Sequence, residues 1–148
     1  MYAKCKSEKG FSVATVWTQH IPDLLSRAKC DDRSQCVIRV EAPNFNASSF
    51  LLLTEPKNAK LVKPNLRLVS VLRDDKHLFS IKLYTEAVAP FVALDLKPGS
   101  GISGHFVDNG FFMFDETKTV QFVYTGNEAV DEQDIADNLI IKTVTDVI

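Results

Sequence analysis

The chain has 148 residues, enough to bury the core of one domain and too few to require a second. Its 17 Lys and Arg nearly balance 19 Asp and Glu, with no long single-sign run, which argues against a nucleic-acid partner. No stretch reaches about 18 consecutive apolar residues, and Met1–Gly10 lacks the apolar segment of a signal peptide, so neither a membrane span nor an export signal is expected.

Along the chain, Phe11–Trp17 reads as a strand, and Ile21–Ala28 as one or two helical turns with Pro22 suited to the first helical position. Cys30 and Cys36 flank the polar segment Asp31-Asp32-Arg33-Ser34-Gln35. A disulfide could close that short loop and leave Cys5 unpaired; three unlinked thiols fit the spacing equally well. Cys36–Val40 and Phe50–Leu53 read as short strands on either side of the turn-rich Pro43-Asn44-Phe45-Asn46. Asn46-Ala47-Ser48 is a glycosylation sequon, which makes Asn46 a candidate acceptor in a protein that enters the secretory path.

The second half alternates with period two. Leu66–Arg73 is apolar on both faces, Val69 and Val71 on one and Leu66, Leu68 and Leu72 on the other, as a central, covered strand would be. Asp74-Asp75-Lys76 supplies a turn, and His77–Glu86 follows with Phe79, Ile81 and Leu83 on one face, completing a hairpin. Ala87–Leu96 is another strand, but Pro90 removes a ladder donor and places its start at a bulge or an edge. Ile102–Val107 leads into Asp108-Asn109-Gly110, a tight-turn signal because Asn and Gly tolerate positive φ, and Phe111–Phe114 follows as a short strand. Lys118–Tyr124 and Leu139–Val147 are the last two strands, joined by the acid-rich Gly126–Asn138, which reads as a solvated connection.

The pattern is all-β: an immunoglobulin-like β-sandwich of roughly eight to ten strands in a single domain over 1–148, with a short helical segment near 21–28. Phe79, Ile81, Leu83, Phe91, Leu94, Phe106 and Phe122 are its expected core.

Candidate chemistry is sparse. Gly99-Ser100-Gly101-Ile102-Ser103-Gly104 has the glycine spacing of a dinucleotide turn, but the residues after it lack the helical periodicity that motif needs, so a loop is expected. The acid pairs Asp31-Asp32, Asp74-Asp75, Asp115-Glu116 and Asp131-Glu132 fall in turns. Glycoside hydrolysis instead needs two carboxyls facing a sugar from opposite sides, one with a raised pKa. His20, His77 and His105 have no metal-ligand spacing, and Ser103-Gly104-His105 lacks the context of a nucleophile elbow. No catalytic residue, metal or cofactor is expected. A stand-alone sandwich binding carbohydrate or protein would show an exposed aromatic platform, and the lone Trp17 fits the core as readily.

Ala89-Pro90-Phe91-Val92-Ala93-Leu94-Asp95 and Gly104-His105-Phe106-Val107-Asp108-Asn109-Gly110-Phe111-Phe112 resemble the C-terminal domain of animal lysosomal β-mannosidases. Lys118–Phe122, Leu139–Ile148, Pro22–Arg27 and the pair Cys30 and Cys36 extend that resemblance over most of the chain. It implies an accessory sandwich of a family 2 type retaining exo-glycosidase, packed beside the (β/α)8 barrel that carries both catalytic glutamates and acts on terminal β-linked mannose of glycoprotein glycans. No segment here matches either glutamate motif. The resemblance further implies a Cys30–Cys36 disulfide and a lysosomal location. It also implies one further strand ahead of Gly10–Trp17, so the chain is expected to lack the family's first strand.

Overall fold

The computed structural model of the protein describes residues 18–42 and 47–146. It divides into two compact units, Met1–Ala59 and Lys60–Ile148. Cys5, the strand expected at Phe11–Trp17 and the sequon residue Asn46 lie outside the described residues.

In the first unit, α1 (Ile21–Ala28) has proline in its opening turn, Asp23 near its positive end and Arg27 near its negative end, all favourable to a short helix. It stops at Lys29, which takes a left-handed φ of 53°, and the Lys29 and Cys30 amides donate back to Ser26 and Leu25 carbonyls at 3.2 and 2.9 Å. A single 3-10 turn, Arg33–Gln35, is capped by the Asp32 carboxylate, which accepts from the Ser34 amide at 2.9 Å. β1 (Val37–Ala42) and β2 (Ala47–Leu52) then pair antiparallel, from Val37 opposite Leu52 to Ala42 opposite Ala47. The strands expected at Cys36–Val40 and Phe50–Leu53 are both present, with ends displaced by one to three residues.

The second unit is a seven-stranded sandwich. Its strands are β3 (Arg67–Asp75), β4 (Leu78–Tyr84), β5 (Ala89–Leu96), β6 (Gly104–Phe106), β7 (Phe111–Met113), β8 (Thr117–Tyr124) and β9 (Leu139–Lys142). One sheet runs β3-β4-β8-β6 and the other β7-β5-β9. The alternating faces meet in one core: Phe79, Ile81, Leu83, Val120, Phe122 and Tyr124 from the first sheet against Ala89, Val92, Leu94, Phe111 and Met113 from the second. Phe79 and Phe122 are opposite one another in the β4–β8 register and both are 0% exposed. Burying each contributes about 1.5–3 kcal/mol. Gly104 lets β6 close on β8, since a Cβ there would collide with the Phe122 ring and the Val123 carbonyl.

Four expectations are corrected by this architecture. The strand at 66–73 is an edge strand rather than a central one. A bulge between Leu68 and Ser70 resets its alternation, so Leu68 and Val71 pack on the core while Val69 and Leu72 are 51% and 60% exposed. Phe91 is not a core residue: in β5 the register shifts between Ala89 and Val92, and Phe91 takes φ 50° and turns outward. The bulge that Pro90 foreshadows is therefore present, and the Thr143 hydroxyl donates to the Pro90 carbonyl at 2.6 Å. Gly126–Asn138 is not merely a solvated connection but carries α2 (Glu132–Asn138), with Ile135 0% exposed. Finally, β9 ends at Lys142, because Val144–Asp146 forms a 3-10 turn in which the Asp146 carboxylate accepts from the Thr143 amide at 2.8 Å.

The topology also differs from a chain of hairpins. Within the second unit only β3 and β4 are sequence neighbours that pair; every later connection passes from one sheet to the other. The turn at Asp108–Gly110 thus leads from β6 in one sheet to β7 in the other.

Candidate functional site

The residues with chemical potential are dispersed. Asp31, Asp74, Asp75, Asp115, Glu116, Asp131 and Glu132 are exposed, while Asp32 caps the 3-10 turn and Asp131 caps α2. Among the described residues these acids are scattered over separate elements rather than paired across a cleft as sugar hydrolysis requires. Among the described residues no group of three or more His, Cys, Asp or Glu is arranged to hold a metal ion. None of the described helices is long and apolar enough to cross a membrane. Cys30 and Cys36 are joined as a disulfide with a Cα–Cα separation of 6.5 Å, closing the loop that contains the capped 3-10 turn. Beside it, Leu24, Leu25, Ala28, Val37, Ile38 and Leu53 line an apolar hollow of about 390 Å³.

The larger concavity is an open groove of about 820 Å³ between the end of β5, the loop at 97–103 and β6. Gly99 and Gly101 give the loop its path with φ of 82° and 74°. The Ser100 hydroxyl accepts from the Ile102 amide at 3.3 Å, and the Thr125 amide donates to the Ser103 carbonyl at 2.8 Å, which holds the loop against the end of β8. The chain continues from Gly104 as strand β6, not as a helix, so the glycine spacing has no helix N-terminus to offer a pyrophosphate. Asp95, His105 and hydroxyl groups line the groove, but no buried charge or acid pair does.

At one wall of this groove is a contact that sequence reasoning treated only as a turn. In the β5–β7 register Val92 is opposite Phe111, and the Gly110 amide donates to the Val92 carbonyl at 2.9 Å. Continuing that register puts position 109 opposite Leu94. There the Asn109 side chain takes over from main chain: its Oδ1 accepts from the Leu94 amide at 2.8 Å and its Nδ2 donates to the Leu94 carbonyl at 2.9 Å. A carboxamide has one acceptor and one donor at the spacing a peptide group presents, so it completes the rung. The one sequence signal for this was an Asn in the short connection between β6 and β7, two residues ahead of Phe111.

The outward face of the three-stranded sheet has its own cluster. Phe91 meets Phe112 edge to face at 4.8 Å between ring centroids, and Phe112 stacks with Phe114 at 5.5 Å. Phe112 and Phe114 share a face because they are two residues apart, and the bulge delivers Phe91 to the same side. On the opposite sheet, the Arg73 guanidinium is over the Phe79 ring at 5.0 Å and donates to the Val130 carbonyl, which ties the edge strand to the segment entering α2.

Comparison with known proteins agrees with this sandwich. The β-mannosidase of Bos taurus is 35% identical over 112 residues, covering 72% of this chain and 12% of that protein. The β-mannosidases of Capra hircus and Rattus norvegicus are each 33% identical, over 112 and 107 residues, covering 72% and 69% of this chain. The chain therefore spans about 12% of the length of the curated relatives it matches. Residues 61–147, which take in all seven strands of the second unit, match the Ig-fold domain of mannosidases, and the chain belongs to that family.

Proposed function

We propose that the chain is the C-terminal accessory β-sandwich of a β-mannosidase, which releases terminal β-linked mannose during glycoprotein glycan breakdown in the lysosome. In this reading residues 1–148 act as one module beside the catalytic barrel of the same polypeptide and contribute stability rather than chemistry. The observation that carries it is the coincidence of the family match at 61–147 with the complete core, from Phe79 to Ile135. The acidic residues named above in the second unit support the same division of labour, because they are spread over β3, the bend before β8 and the start of α2 rather than gathered on one cleft.

The test is incubation of the purified chain with a chromogenic β-mannoside, beside a full-length β-mannosidase containing it and the same enzyme carrying Phe122→Ala. The expected outcome is no turnover above a buffer blank for the chain alone, and a lower inactivation temperature with unchanged KM for the Phe122→Ala enzyme. Turnover by the chain alone that disappears on mutating Asp115 and Glu116 would overturn the reading.

A further inference from the structure

We infer that Asn109 is a deamidation site whose conversion breaks the contact with Leu94 and loosens the passage from β6 to β7. Of the seven asparagines in the chain, only Asn109 is followed by glycine, whose amide is the least hindered nucleophile toward the preceding side chain. The Gly110 N–H donates to Asn109 Oδ1 at 3.0 Å, which keeps the nitrogen and the carboxamide side by side while the turn is closed, and this contact is given up when the nitrogen turns toward Cγ. Gly110 takes φ 72° in an exposed turn, and Asn109 is itself exposed.

The chemistry balances without any co-reactant but water. The Gly110 nitrogen forms a bond to Asn109 Cγ, the Cγ–Nδ2 bond breaks, and Nδ2 departs as ammonia carrying the proton that the glycine amide gives up. Water then opens the resulting succinimide at either carbonyl, leaving aspartate or the β-linked isoaspartate.

Two further hydrogen bonds govern when this happens. The Gly110 N–H donates to the Val92 carbonyl at 2.9 Å, and the leaving nitrogen donates to the Leu94 carbonyl at 2.9 Å. Both must be released before the ring can close, so the reaction runs through local opening of the turn rather than from the closed sheet. The product cannot restore what was lost. A carboxylate still accepts from the Leu94 amide, but it sets a second anionic oxygen against the Leu94 carbonyl where a donor stood. Isoaspartate also lengthens the main chain by one carbon inside a turn whose two ends belong to different sheets.

The experiment ages the purified 148-residue chain at mildly alkaline pH below its melting temperature, then maps peptides by mass spectrometry. Charge-separated fractions and a freshly made Asn109→Asp variant are melted in parallel. Expected are conversion at Asn109 ahead of Asn65, Asn127 and Asn138, a rate slower than in an unstructured peptide spanning 105–114, and a lower thermal midpoint in the converted fraction. Retention of Asn109 while those other asparagines convert would overturn the inference, as would a converted fraction that melts with the unmodified chain. If Asn109→Asp does not fold, the aged wild-type fractions still decide, because they are modified after folding.

Discussion

The Asn109 side chain hydrogen-bonds both main-chain groups of Leu94, donating to its carbonyl at 2.9 Å and accepting from its amide at 2.8 Å. Leu94 is 3% exposed, so losing the carboxamide strands a donor and an acceptor beside the core. Asn109→Ala should cost about 1–3 kcal/mol, the penalty for polar groups left unsatisfied. Asn109→Gln should recover little of it, because the added methylene moves the amide out of register. Urea denaturation of the three proteins checks both statements; a midpoint for Asn109→Ala equal to wild type would show that water replaces the side chain freely.

Phe122 is 0% exposed, pairs with Phe79 across β4 and β8, and is 5.0 Å from the Phe106 ring between centroids. Phe122→Ala is expected to cost about 3–5 kcal/mol, a large part of the about 5–15 kcal/mol available to a domain of this size. Lys76→Ala, in the exposed turn of the β3–β4 hairpin, should stay within about 0.5 kcal/mol. Equal shifts for the two in chemical denaturation would contradict the core described here.

The segment leading into β9 should be more than a tether. Asp131 and Asp134 form a reciprocal capping box, each carboxylate accepting from the other's amide, at 2.8 and 2.9 Å. Asp131→Ala should cost about 0.5–2 kcal/mol through the lost cap. Ile135→Ala should cost about 2–5 kcal/mol through the cavity it leaves. Hydrogen exchange on these variants should show faster exchange in residues 131–138; unchanged protection in both would mean that α2 does not contribute to the fold.

For the disulfide, non-reducing peptide mapping of protein made in an oxidising compartment should recover Cys30 linked to Cys36. Closing a loop with a sequence separation of 6 constrains the unfolded chain by roughly 2 kcal/mol in the chain-entropy treatment. Adding reductant should therefore increase proteolysis within residues 18–59. Recovery of either cysteine linked to Cys5 would refute the pairing.

Phe91 tests strain against contact. Its φ of 50° is costly for a bulky side chain, and its ring meets Phe112 at 4.8 Å. Phe91→Gly removes the strain and the contact together, so a net change within about 1 kcal/mol is expected. A loss comparable with that for Phe122→Ala would show that the ring, not the backbone, dominates.

Local chemistry was enough to determine the strands with clean alternation. Phe79, Ile81 and Leu83 must share a face wherever β4 sits, and likewise Val120, Phe122 and Tyr124 in β8, because a strand has period two. The helix at 21–28 and the bulge at Pro90 were legible for the same reason: proline has local consequences for φ and for hydrogen bonding. The capping box at Asp131 went unread in the sequence, because an acid-rich segment resembles a solvated loop until Ile135 is seen to have a core to enter. What only the tertiary structure decided are the choices between partners. Asp108-Asn109-Gly110 specifies a reversal, yet nothing local says that the next strand joins the opposite sheet, or that Asn109 will meet Leu94, fifteen residues earlier. Likewise, two apolar faces on Leu66–Leu72 suit a central strand as well as an edge strand with a bulge. The order β3-β4-β8-β6 settles that through the non-local pairing of β4 with β8.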